Sequence, residues 1–159
     1  MHFSKVLVCT DLSPSSIAAF ELAAYEKKME QTEIILLHVH RMFEPFYFEE
    51  FSYYDPKLVS DIGEAYCDRV LSTLQDLSKK YFHGQNVSCE ALISLQGIAE
   101  EICRFAVREK CDLIVMGSRG HTTLGSIFIG SVVQRVLLLA KCPVLIVPPQ
   151  QEKDAKQLS

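Results

Sequence analysis

Basic residues are in no surplus in this chain: sixteen Lys and Arg stand against twenty Asp and Glu among 159 residues, a net charge of -4. They are also dispersed rather than banked on one stretch, so there is no electrostatic footprint for nucleic acid, and that class of partner is set aside. Long apolar runs are missing too. The N-terminus, MHFSKVLVCTDLSPSS, has no apolar core region ending in a small-residue cleavage site, and nothing approaches a membrane span. The expectation is a cytoplasmic protein with no membrane role. The six cysteines, Cys9, Cys67, Cys89, Cys103, Cys111 and Cys142, form no CxxC pair and have no His at ligand spacing, which argues against a zinc site or a redox motif. Most sit inside apolar runs, where a cysteine acts as a small buried hydrophobe. Repeats and low-complexity tracts are absent. With 48% hydrophobic residues, the length suits one compact domain, taken as 1–149, followed by a polar tail, QQEKDAKQLS, at 150–159.

Five short apolar runs punctuate the chain: KVLVCT (5–10), EIILLHV (33–39), VSCEALIS (87–94), DLIVMG (112–117) and PVLIV (143–147). Four are continuously apolar, as in strands buried on both faces. The third alternates, with Val87, Cys89, Ala91 and Ile93 on one side and Ser88, Glu90 and Ser94 on the other, broken only by Leu92. It reads as an edge strand with one face in water. Between the runs lie helical patterns. Ser13 as N-cap with Pro14 at the first helical position opens a helix to about Met29. Val59, Ile62, Tyr66, Val70, Leu74, Leu77 and Tyr81 recur every three or four residues along one long amphipathic helix. Ile98, Ile102, Phe105 and Ala106 mark a shorter one after Gly97. A last helix, 131–140, is apolar nearly all round and is expected to be well buried. Strands alternating with helices imply parallel strands, right-handed crossovers and a three-layer α/β fold with helices on both faces.

Glycine is scarce, seven in all, yet four fall between Met116 and Ser131 in MGSRGHTTLGSIFIGS. The order is strand, loop, helix N-terminus, where unpartnered N–H groups and the helix dipole stabilise an anion such as phosphate. Gly130 would let a phosphate reach those groups and Ser131 would add a hydroxyl. Gly117 and Gly120 would turn the chain off the strand, and Arg119, His121, Thr122 and Thr123 supply further donors. The spacing is neither a P-loop nor GxGxxG. A second reading stands beside this one, in which the glycines serve only turns and caps.

These residues resemble the universal stress protein family over nearly the whole chain. The first strand ends in T-D-x-S-x-x-S (Thr10, Asp11, Ser13, Ser16), the second in HVH, and Gly117, Gly120, Gly130 and Ser131 complete G-x2-G-x9-G-[ST]. The resemblance implies an adenine nucleotide alpha hydrolase-like, five-stranded parallel sheet in the order 3-2-1-4-5. It also implies ATP, with Mg²⁺ carried by the phosphates, across the ends of the first and fourth strands. Residue by residue it assigns Thr10 and Asp11 to the end of the first strand, with Asp11 contacting the adenosine, and Val39 to a backbone contact with adenine. Met116, Gly117, Arg119 and Gly120 fall to the ribose and first phosphates, and Gly130, Ser131 and Val132 to the phosphate tail. Asp11 has a competing role as a cap of the helix that follows it. His38 and His40 point the same way on their strand, where a hydrogen-bonded histidine at the core boundary is the commoner arrangement than a metal ligand.

The resemblance implies a regulatory nucleotide-binding module in stress response, at most a slow ATPase, since no base aims at the terminal phosphate beyond the loop residue His121. An adenylylating enzyme is disfavoured, because DLSPSS matches neither the HxGH nor the SGGxD-type loop of relatives on similar folds. A third reading is a nucleotide-free interaction module. It draws on the segment 41–55, RMFEPFYFEEFSYYD, which holds seven of the fifteen aromatics. Such a segment folds over something: the nucleotide as a lid, a protein partner, or its own long helix. The strand 143–147 would be an apolar sheet edge in the order 3-2-1-4-5, and pairing with a second copy would cover it, so a homodimer is expected.

Overall fold

The computed structural model describes residues 3–29, 32–41, 56–83, 87–118 and 129–148. In chain order the elements are β1 (Lys5–Cys9), α1 (Pro14–Met29), β2 (Glu33–Arg41), α2 (Pro56–Phe82), β3 (Val87–Ser94), α3 (Ile98–Arg108), β4 (Leu113–Gly117), α4 (Ser131–Leu139) and β5 (Val144–Val147). The five strands form one sheet in the order β3-β2-β1-β4-β5. Every pairing is parallel, with Val8 of β1 opposite Leu36 of β2 on one side and Val115 of β4 on the other. The predicted class and order therefore hold.

Side chains alternate across the sheet, and each face has its own helical cover. Val6, Val8, Ile34, Leu36, Leu113 and Val115 face α1 and α2, where Phe20, Leu74 and Phe82 complete a core. Leu7, Cys9, Ile35, Leu37, Ile114 and Met116 face α3 and α4, meeting Ile102, Phe105, Val133 and Val136. This is the three-layer arrangement: apolar runs in β1, β2 and β4 are buried on both faces because each strand lies between two helical layers. Edge strand β3 follows its alternation except at Ser94, which was expected on the water face and is buried, its hydroxyl bonded to the Gly97 backbone. Val87, Cys89 and Ala91 pack against the α1–α2 side, while Ser88 and Glu90 are exposed. Leu92, the residue that breaks the alternation, packs against the α3–α4 core.

Two burial expectations are corrected. Helix α4 is not well buried: Val133 and Val136 face inward, but Leu138 is 79% exposed and Leu137 47%. An outermost helix meets neighbours on one stripe only, so apolar residues off that stripe stay in solvent whatever their hydrophobicity. Strand β5 is likewise only half-buried, with Leu145 exposed, because an edge strand has a neighbour on one side. The cysteines are all free, and Cys9, Cys103 and Cys111 are buried as small hydrophobes. Among the described residues no helix is long and apolar enough to cross a membrane. Most of the aromatic segment, the residues Arg119 to Thr123 and the tail lie outside the described residues.

Candidate functional site

Order β3-β2-β1-β4-β5 makes β1 the point from which the chain winds outward in both directions, so the loops after β1 and β4 part and leave a crevice. A cavity of about 290 Å³ lies there. Its floor is the end of β1 (Cys9, Thr10, Asp11) with Met116 and Gly117 of β4; Leu37 and Val39 of β2 and Ile98 and Ile102 of α3 form one wall, and Gly130 to Val133 the other.

Eight of the ten residues expected from sequence line this one cavity: Thr10, Asp11, Val39, Met116, Gly117, Gly130, Ser131 and Val132. Arg119 and Gly120 lie outside the described residues. Sequence reasoning did not assign Cys9, Ser16, Leu37, Ile98, Ile102 and Val133 to the site. The available signal was sheet alternation, since Leu37 shares a face with Val39, and helix period, since Ile98 and Ile102 share a stripe.

The turn after β1 is a hydrogen-bonded knot. Leu12 has φ 65°, a left-handed conformation costing a branched side chain about 1–2 kcal/mol. Its N–H donates to Thr10 Oγ1 at 2.9 Å. Ser16 Oγ donates to the Ser13 carbonyl at 2.8 Å, so the 2.7 Å contact between the Thr10 and Ser16 hydroxyls has Thr10 as donor. Asp11 Oδ1 accepts both the Ser13 N–H at 3.0 Å and the Ser13 hydroxyl at 2.5 Å. Asp11 is thus a cap of the α1 entry and a cavity residue at once; the two roles proposed for it are compatible.

His38 supports this turn from below. It is buried, its Nδ1 lies 3.0 Å from the Thr10 carbonyl and its Nε2 3.1 Å from the Tyr66 hydroxyl on α2. A carbonyl only accepts, so Nδ1 carries the proton and, in the neutral ring, Nε2 accepts from Tyr66. His40 stacks 6.5 Å away on the same face. Among the described residues no group of His, Cys, Asp or Glu is arranged to hold a metal.

Two helix N-termini meet at the cavity, and their electrostatics differ. At α3 the N-cap Gly97 has φ 147°, a conformation suited to glycine, and a Cβ there would strike the Glu100 carboxylate. Glu100 and Glu101 occupy the first turn, so this terminus carries its own anions. Arg135 of α4 donates from Nε to Glu100 Oε1 at 2.9 Å. That bond, and then the carboxylate's own backbone N–H, hold the Glu100 carboxyl below the usual range.

At α4 there is no acidic residue in the first turn and no side-chain cap. The first intrahelical bond runs from Gln134 N to the Gly130 carbonyl at 3.0 Å, so the N–H groups of Ser131, Val132 and Val133 have no acceptor within the helix. All three residues line the cavity. Gly130 has φ -58° and ψ 146°, which any L-residue adopts, so backbone geometry does not demand a glycine there. Burial pushes the Cys9 thiol far up, so it stays a neutral, apolar part of the floor. Among the described residues the arrangement is a largely apolar slot ending in helix N–H groups that have no acceptor within the helix, a set that suits an anion such as phosphate.

The sequence model described as the universal stress protein family matches residues 2–148. The universal stress protein YxiE of Bacillus subtilis is 31% identical, over 91% of this chain and 99% of its own length. Among solved structures, that of MJ0577 from Methanocaldococcus jannaschii superposes with a TM-score of 0.75 at 26% identity, covering 95% of this chain and 99% of that one. A universal stress protein family protein from Arabidopsis thaliana, solved with AMP bound, shares the fold at a TM-score of 0.58 and 23% identity, with 97% of each chain covered.

Proposed function

The chain belongs to the universal stress protein family, and from that premise we propose that its cavity is an adenine-nucleotide site whose ligand is ATP, with Mg²⁺ held through the phosphates. The base lies between Val39 and the α3 residues Ile98 and Ile102, and Asp11 faces the adenosine. The phosphates run past Met116, Gly117, Arg119 and Gly120 to the N–H groups of Ser131 and Val132 beside Gly130. The observation that carries this reading is Gly130 itself: its backbone is ordinary, while the three N–H groups that follow it line the cavity with no intrahelical acceptor. A phosphate fits that set of donors and a side chain at residue 130 would crowd it. AMP in the Arabidopsis relative supports the choice of an adenine ligand.

The protein acts as a regulatory module in stress response rather than as an efficient hydrolase. Asp11 is the one carboxylate among the described lining residues, and its Oδ1 is already engaged by Ser13. That leaves it poorly suited to activate water. Its readout surface is a homodimer formed through the β5 edge, flanked by the exposed Leu137, Leu138 and Leu145. The test is calorimetric titration of Mg-ATP into protein freed of host nucleotide, beside Gly130→Val. Micromolar or tighter binding that is lost in the variant is expected; no binding to ligand-free wild type would refute the reading.

A further inference from the structure

Arg135 is the only charged residue on α4, the helix whose N-terminus holds the phosphate donors. It stands four residues after Ser131, so the two lie one above the other on the same helix face, roughly 5–6 Å apart at Cβ. Long side chains on a helix lean toward its N-terminus, which directs the Arg135 guanidinium over the turn that opens at Gly130. It does not end there. It crosses to α3 and binds Glu100, the carboxylate lying against Gly97. The other nearby arginine on α3, Arg104, is engaged by Glu101 and Gln96 and does not compete for Glu100.

We propose that Arg135 reads the length of the nucleotide's phosphate chain: it rests on Glu100 when the ligand ends at its first phosphate, and exchanges Glu100 for the terminal phosphate of a di- or triphosphate. This rests on the nucleotide reading of the cavity. The exchange is cheap on the protein side. The Arg135–Glu100 pair is solvent-exposed, 56% and 31% at the side chains, so it is weak to begin with. Glu100 also feels Arg41 at the end of β2 and its own backbone N–H, so it keeps favourable partners after Arg135 leaves. On the ligand side a longer phosphate chain adds negative charge beside a guanidinium, a stronger partner than an exposed carboxylate. Glu100 is then a competitor that sets how much longer nucleotides are preferred over AMP.

The experiment compares Kd for Mg-ATP, ADP and AMP by calorimetry on the nucleotide-free, full-length protein and on Arg135→Gln, Glu100→Gln and the double variant. Arg135→Gln should weaken ATP about tenfold, the weight of one charge-assisted contact, and leave AMP within about twofold. Glu100→Gln should tighten ATP by about threefold and have no effect once Arg135 is gone. Arg135→Lys, which keeps the charge, should retain part of the ATP preference. Arg135→Gln should leave the urea midpoint near that of wild type, its site being exposed, and Glu100→Gln should lower it slightly, because an anion at the α3 N-terminus is lost; Arg135→Lys serves if Arg135→Gln folds poorly. An unchanged ATP-to-AMP ratio in Arg135→Gln, with AMP still bound, overturns the role of Arg135 alone. Absence of binding of all three nucleotides to wild type overturns the nucleotide reading and this inference with it.

Discussion

The backbone N–H of Gly130 donates to the carbonyl of Ser118 across 3.0 Å. The end of β4 and the start of α4 are thereby held together, and the Gly130 N–H is spent on the protein itself. The donors presented to the cavity begin one residue later, at Ser131, so they are aimed by the strand and do not depend on a free helix end.

Gly130→Ala separates room from conformation. Alanine fits φ -58° and ψ 146°. The gain of about 0.4–1 kcal/mol from a stiffer unfolded chain roughly offsets the weaker N-cap preference of Ala. A urea midpoint near that of wild type is expected, together with weaker ATP binding than wild type. Equal loss of stability and affinity would mean that the glycine serves the fold.

Ser16→Ala removes the acceptor of the Thr10 hydroxyl and the donor to the Ser13 carbonyl. Two buried hydrogen bonds at about 0.5–1.5 kcal/mol each place the cost near 1–3 kcal/mol. Denaturant unfolding should register it, and nucleotide affinity should fall too, because Thr10 and Asp11 are held by the same turn as strained Leu12. A neutral substitution would show that the turn is held by backbone packing alone.

Leu138 is 79% exposed, so Leu138→Glu should barely alter the stability of a protomer. If β5 and α4 form the dimer face, the same change should shift a dimer to a monomer by light scattering at micromolar concentration. A variant of unchanged mass would move the interface elsewhere.

Burial pushes the Cys111 thiol up from 9.0 to about 11. The unfolded chain loses this proton first, so the contribution to stability is complete below pH 9 and disappears as pH rises toward 11. The urea midpoint should hold through neutral pH and fall above pH 9, less steeply in Cys111→Ala. The remaining slope in that variant is expected from Cys9, raised further for the same reason, and from Cys103 and Cys142, which burial also raises. Equal slopes in wild type and variant would contradict the assignment.

Much of the fold was legible because its signals are local. The apolar runs, Pro14 after Ser13, and glycines just before Ile98 and Ser131 mark where strands and helices begin, and each depends only on residues a few positions apart. Alternation in 87–94 announced an edge strand for the same reason. The order of the strands entered through the resemblance, as did the assignment of Asp11 and Val39. Tertiary structure alone decided which apolar residues became cavity wall: Leu37, Ile98 and Ile102 read as core, and become lining because the crevice beside β1 is left uncovered. It also decided that Leu138 faces solvent, that His38 joins Thr10 to Tyr66, and that Arg135 meets Glu100. A periodic pattern specifies which residues share a face; which neighbour covers that face, or leaves it open, depends on elements far away in the chain.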